Sequence, residues 1–194
     1  MTGRAVALAV LLCGAVSVPA MAQPYRTVVS VITSVGNMAY EMKVNGHNVL
    51  RFPFASIDDF RAKPTGLHGI PLLAPWANRL DEQAFYANGR RYAFDMTVGN
   101  IRGANPIHGF LGSTDRWQVT TVEADGASAY VTSRLEFFRN PDWMRQFPFA
   151  HTIEMTYRLR EGALEVETVL RNHSLAPMPV AVGYHPYFVV PDAP

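Results

Sequence analysis

Residues 151–170 read HTIEMTYRLREGALEVETVL. In the first half, Ile153, Met155, Tyr157 and Leu159 alternate with Glu154, Thr156 and Arg158. In the second half, Leu164 and Val166 alternate with Glu165 and Glu167. Period-two alternation sends successive side chains to opposite faces, so each half is expected to be a strand with one buried and one wet face. Between them, Glu161-Gly162 marks a two-residue turn, because glycine accepts the positive φ that tight hairpins require. The stretch predicts an antiparallel hairpin.

The same grammar recurs along the chain. Asn45-Gly46 separates 39–44 from 47–52, Asn88-Gly89 separates 82–86 from 90–94, and Asp125-Gly126 separates 117–122 from 129–138. Asn-Gly and Asp-Gly between alternating segments are the strongest short-range hairpin signals. No window of 12 or more residues carries a sustained helical stripe, and 14 Gly and 14 Pro punctuate the rest. The expected fold class is all-β, an antiparallel β-sandwich in one domain. Two long irregular stretches interrupt it, 53–75 and 95–112, and long loops in a compact domain are usually functional. A third, 139–149, carries Trp143 and Phe147 and reads equally as an aromatic plug or as part of a binding surface.

The beginning of the chain reads differently. Arg4 precedes an apolar run over 5–18, and Ala20-Met21-Ala22 is a small-x-small cleavage site. That layout is a secretory signal peptide over 1–22, which implies a domain over 23–194 and an exported, periplasmic or secreted location. No later stretch approaches the roughly 20 apolar residues of a membrane-spanning helix, so no membrane partner is expected. Cys13 is the lone cysteine and falls in the leader, leaving no disulfide, thiolate nucleophile or cysteine ligand beyond it. Net charge is +1, without clustered basic residues, which argues against a nucleic-acid partner.

Several standard sites are absent: there is no Gly-x-Ser-x-Gly elbow, no glycine-rich phosphate loop and no His-Glu-x-x-His helix. The histidines at 47, 68, 108, 151, 173 and 185 show no short ligand spacing, so no metal site is expected. What remains is polar residues set in apolar, turn-rich contexts: Pro75-Trp76-Ala77-Asn78-Arg79-Leu80, Asn105-Pro106-Ile107-His108-Gly109-Phe110, and Gly183-Tyr184-His185-Pro186-Tyr187-Phe188. Proline after His185 biases that residue to extended backbone at a strand end, and Gly109 allows another group to approach the backbone beside His108. Trp76, Phe110, Tyr184, Tyr187 and Phe188 suit the apolar face of a sugar ring, and Asn78 and Arg79 its hydroxyls.

In order and spacing these three segments resemble the sugar-site motifs of the aldose 1-epimerase (galactose mutarotase-like) family. The resemblance implies a galactose mutarotase-like supersandwich and an isomerase that exchanges the anomers of a free aldose without a cofactor. It implies His185 as general acid and His108 as the second site histidine, near the ring oxygen. Asn78, Arg79, Tyr187 and Trp76 become sugar contacts. His173, in Asn172-His173-Ser174, is read as loop, and His68 and His151 as structural. The family's general base is a glutamate well beyond the His-Pro-Tyr-Phe motif, and the sequence given stops at Pro194. Neither that glutamate nor a downstream sugar-binding aspartate is assigned, and nothing places Glu41, Glu136 or Glu154 opposite His185. The sandwich is therefore expected to be incomplete at its C-terminus, with exposed ladder edges and marginal stability. Three alternatives stay open: a hexose-phosphate epimerase, a non-catalytic carbohydrate-binding β-sandwich, and an inactive remnant. Preferred sugar and oligomeric state are not legible. The expectation on which the rest hangs is that His108, His185, Asn78 and Arg79 converge on one sugar-sized hollow.

Overall fold

The structure, a computed structural model, describes residues 6–9, 26–63 and 68–190. Its regular structure is mostly antiparallel strands, with two short α-helices. The first sheet runs in order β1 (Val6–Ala9), β2 (Thr27–Ile32), β3 (Met38–Val44) and β4 (His47–Asn48). The segment expected to be a leader lies mostly outside the described residues, and its described part is β1, paired with β2. A six-residue helix, α1 (Ile57–Ala62), follows within the first irregular stretch. Next come β5 (Leu72–Leu73), the hairpin β6 (Ala84–Ala87) and β7 (Arg90–Ala93), and the short pair β8 (Ile101–Arg102) and β9 (Asn105–Pro106). The second sheet is β10 (Gln118–Ala124), β11 (Ser128–Glu136), β12 (His151–Arg160) and β13 (Ala163–Asn172), with α2 (Pro141–Gln146) in the crossing from β11 to β12. Finally β14 (Gly183–Tyr184) returns to pair with β5.

The hairpin predicted from residues 151–170 is present in full register, with Tyr157 opposite Val166 and Leu159 opposite Leu164. On β12 the alternation buries Ile153, Met155, Tyr157 and Leu159. Each such side chain contributes about 1.5–3 kcal/mol on burial. These residues form one core with Val29, Val31 and Ala39 of the first sheet, so the two sheets pack face to face. Tyr157 crosses between them, its hydroxyl donating to the Asn37 carbonyl at 2.8 Å. β13 is half-buried at Leu164, Val166, Thr168 and Leu170 on one face, and at Val169 alone on the other.

Three of the four turn signals work as expected: Asn45-Gly46, Asn88-Gly89 and Glu161-Gly162 all have positive φ at both residues. Asp125-Gly126 does not. There the Asp125 carboxylate accepts from the N–H groups of Ala127 and Ser128, both at 2.7 Å, and closes a longer turn by side chain. Those two hydrogen bonds hold the Asp125 carboxyl below its ordinary range.

Both helices start at side-chain caps. The Ser56 hydroxyl accepts from Asp59 N–H at 3.0 Å, with Asp58 and Asp59 in the first turn where the helix dipole favours negative charge. The Asn140 side chain accepts from Asp142 N–H, and Pro141 takes the first helical position. α1 buries Phe60 against Ile32, Val35 and Met38 as a small second core. α2 brings Trp143 over Phe137 at 5.4 Å, within an aromatic group that includes Phe147 and Phe149.

Candidate functional site

The segment 70–80 is a spine that pairs on both sides. On one side, Leu72 and Leu73 pair with Tyr184 and Gly183, Trp76 bridges Ala181, and Ala77 N–H donates to the Ala181 carbonyl at 2.6 Å. On the other, Ala74 bridges Gly109 and Arg79 bridges Ile107. The three sequence motifs are thus adjacent by main-chain pairing, although they lie far apart in the chain.

Gly109 is the point of closest approach. A Cβ there would sit 1.9 Å from the Ala74 carbonyl oxygen and 2.7 Å from the Pro75 nitrogen, and φ is +61°. Only glycine fits. With that approach made, Phe110 N–H donates to the Ala74 carbonyl at 3.0 Å.

His108 and His185 stand together, their ring centroids 5.7 Å apart and their planes at 82°. His108 is held by the main chain of Asn78 twice: its N–H donates to the Asn78 carbonyl at 2.8 Å, and its Nδ1 accepts from Asn78 N–H at 3.1 Å. Both residues have left-handed backbone, with φ of 59° at His108 and 58° at Asn78. Asparagine adopts that region more readily than most residues, and a strained histidine of this kind is typical of functional sites. Since Nδ1 accepts, the proton of the neutral ring sits on Nε2. Burial, then the neighbouring His185, then Arg79 and Arg102, hold His108 below the ordinary histidine value. The ring is a neutral donor rather than an imidazolium.

The His185 N–H donates to the Pro71 carbonyl at 3.3 Å. Its ring stacks on Tyr187 at 4.5 Å and 7°, with Nε2 3.3 Å from the Tyr187 hydroxyl. Burial pushes the Tyr187 phenol above its usual value, with Arg51 opposing. His108 and Tyr187 open onto a cavity of about 870 Å³, lined also by Met38, His68, Arg102 and Trp143. That is within the roughly 300–1,000 Å³ of small-molecule sites.

Of the residues singled out in sequence, the structure brings together His108, His185, Tyr187, Asn78 and Arg79. Asn78 acts through its backbone, and Arg79 through charge. Trp76 is elsewhere. Its ring is 4% exposed, edge-on to Phe94 and Phe110 at 5.3 and 5.8 Å, and it backs the site from the core rather than facing the cavity. His151 is packed on Phe137 with Nδ1 2.7 Å from the Phe149 carbonyl, and burial lowers its pKa. His173 hydrogen-bonds Thr152 at the end of β13.

Two of the three glutamates considered from sequence are engaged away from the histidines. Glu41 pairs with Lys43 and Ser30, and Glu136 with Arg134 and Arg139. Among the described residues no Asp or Glu lines the cavity, and no cluster of three metal-binding side chains occurs. Two contributors were not named as site residues from sequence. His68, read as structural, lies on the cavity wall, and so do residues 98–102, which fall within the irregular stretch 95–112 expected to be functional. One signal existed for the first: His68-Gly69 repeats the His-Gly of residues 108–109.

Solved structures share this arrangement of strands. A galactose mutarotase-like protein from Clostridium acetobutylicum superposes with a TM-score of 0.74 at 29% identity, over 85% of this chain and 48% of its own. A Synechocystis sp. PCC 6803 protein gives 0.69 at 23% identity, over 93% and 59%. A galactose mutarotase related enzyme from Lactobacillus acidophilus gives 0.61 at 22%, over 88% and 48%. The chain therefore spans about half the length of the structures it matches, and the two more distant ones establish the fold alone. The aldose 1-epimerase family model matches residues 24–193, which takes in the spine, both histidine motifs and both sheets apart from β1. On that match, over nearly the whole sequence, the chain belongs to the aldose 1-epimerase family.

Proposed function

We propose that this chain carries the histidine side of a mutarotase site and interconverts the α and β anomers of free aldohexoses. The observation that supports the reading most is the His108–His185 pair, 5.7 Å apart beside a cavity with room for a sugar. Anomer exchange opens the hemiacetal, turns about C1–C2 and closes on the other face. Opening needs one group to protonate the ring oxygen while another takes the proton from the O1 hydroxyl. His185 is the acid, since histidine carries and releases a proton near neutral pH. His108, kept neutral, donates from Nε2 toward the ring oxygen and orients the substrate. The base for O1 is not assigned among the described residues.

That last point favours a second reading, a sugar-binding module without catalysis. NMR-monitored anomer exchange of α-D-glucose and α-D-galactose separates the two. Wild-type protein is expected to accelerate exchange, and His185→Ala to lose at least about a hundredfold, as expected for removal of a general acid. Wild type matching the uncatalysed rate while still binding sugar would leave the binding module. The proposal includes export, with residues 1–22 as a cleaved leader. N-terminal sequencing of protein recovered outside the cytoplasm should begin at Gln23.

A further inference from the structure

His68 faces the same cavity but is not explained by packing. Its ring is 3% exposed and walled by Phe52, Phe54 and Phe60, all edge-on, at 5.5, 4.8 and 4.4 Å. Yet its Nδ1 is sealed from solvent without a hydrogen-bond partner among the described residues. The contrast within this chain is His151, equally buried, which uses Nδ1 on a main-chain carbonyl. Buried polar atoms are nearly always satisfied, and each exception calls for a reason.

The main chain fixes where His68 sits. Pro71 accepts from His185 N–H, and Gly69 accepts from Tyr187 N–H at 2.9 Å. His68 is therefore one residue past the Tyr187 rung, on the side away from His185. Met38 and Phe60 belong to the same wall of the cavity, each only 1% exposed and packed into the second core.

Burial, with Arg51 second, lowers the His68 pKa to about 4, so the ring is neutral under ordinary conditions. A neutral imidazole has one N–H and one lone pair. An orphaned N–H is rarer in proteins than an under-used acceptor, which puts the lone pair on sealed Nδ1 and the proton on Nε2.

We infer that His68 is a second sugar-contact residue: from its phenylalanine wall, its Nε2–H donates to a hydroxyl at the end of the sugar remote from the anomeric carbon. The inference rests on the sugar-site reading and extends it to the half of the ligand that does not react.

The test is equilibrium binding of D-galactose to the 194-residue chain, compared with its 4-deoxy and 6-deoxy analogues, for wild type, His68→Phe and His68→Gln. His68→Phe is expected to bind galactose about tenfold more weakly, the loss of one hydrogen bond between neutral groups. His68→Gln, which keeps a donor, should recover part of that. One deoxy analogue should bind wild type about tenfold more weakly and be indifferent to His68→Phe. Galactose binding unchanged in His68→Phe, with exchange still lost in His185→Ala, overturns the inference and leaves the mutarotase reading standing. Sugar binding without exchange removes the catalytic reading alone. Wild type binding no sugar overturns both. Should neither variant fold, the analogues decide on wild type: if both bind as tightly as galactose, His68 makes no such contact.

Discussion

Gly109→Ala isolates what the close approach of the spine and the His108 loop is worth. The new Cβ would lie 1.9 Å from the Ala74 oxygen, and real Cβ contacts essentially never fall under 3.0 Å. Backbone must therefore move by roughly 1 Å, since neither the carbonyl nor the Pro75 ring is a flexible side-chain end. That movement breaks the Phe110 N–H to Ala74 bond and leaves buried polar groups unpaired, a loss of about 1–3 kcal/mol. Alanine at φ +61° adds about 1–2 kcal/mol for left-handed backbone. Gly89→Ala supplies the reference, because Gly89 also has positive φ but nothing within 4 Å of its Cβ position. Urea unfolding of the two variants beside wild type should show a loss of about 1–2 kcal/mol for Gly89→Ala and about 2–5 kcal/mol for Gly109→Ala. In sugar titrations, Gly109→Ala alone should also weaken binding, because His108 moves with its neighbour. Equal destabilisation of the two variants would refute the argument, since backbone strain would then account for everything.

Two further outcomes follow from buried polar groups. His68 and His108 are both held below the ordinary histidine value, so between pH 6.5 and about 4 the unfolded chain binds more protons than the folded one. Stability is therefore present above pH 6.5 and lost on acidification, by up to about 3 kcal/mol from His68 alone. Urea midpoints at pH 7 and pH 4.5 check this, and His68→Phe should flatten the dependence; an unaltered slope would count against it. Tyr157→Phe deletes the donor to the Asn37 carbonyl at the junction of the sheets and should lower stability by about 1–2 kcal/mol in thermal unfolding.

Most of the sandwich was legible because its strands are half-buried and its turns are glycine-marked. Residues 151–170 announced β12 and β13 by alternation, and three Asn-Gly or Glu-Gly pairs adopted the backbone their composition demands. The turn at Asp125 differed because a carboxylate, given two free N–H groups within reach, closes it without positive φ. Six-residue helices escaped the periodicity argument, which needs several turns to register. The site was legible in its histidines, and its walls only as the irregular stretches 53–75, 95–112 and 139–149, without the individual residues. Trp76 was misplaced because an aromatic beside Asn78 and Arg79 reads alike whether it faces ligand or core, and only Phe94 and Phe110 decide the matter. His68 and the loop 98–102 reach the cavity through irregular chain whose path is set by distant contacts, such as Gly69 N–H on the Arg51 carbonyl.

The attachment of His108 to the Asn78 main chain bears on how this site tolerates mutation. Many histidines in reactive positions are oriented by a carboxylate, so one codon change can scramble the tautomer. Here the orienting donor is a peptide N–H, which every residue except proline possesses. Changes of side chain at position 78 that still accept φ near 58° would leave the imidazole's proton where it is. The identity of the proton-bearing nitrogen is thus written into chain geometry, and drift at the neighbouring side chain leaves it undisturbed.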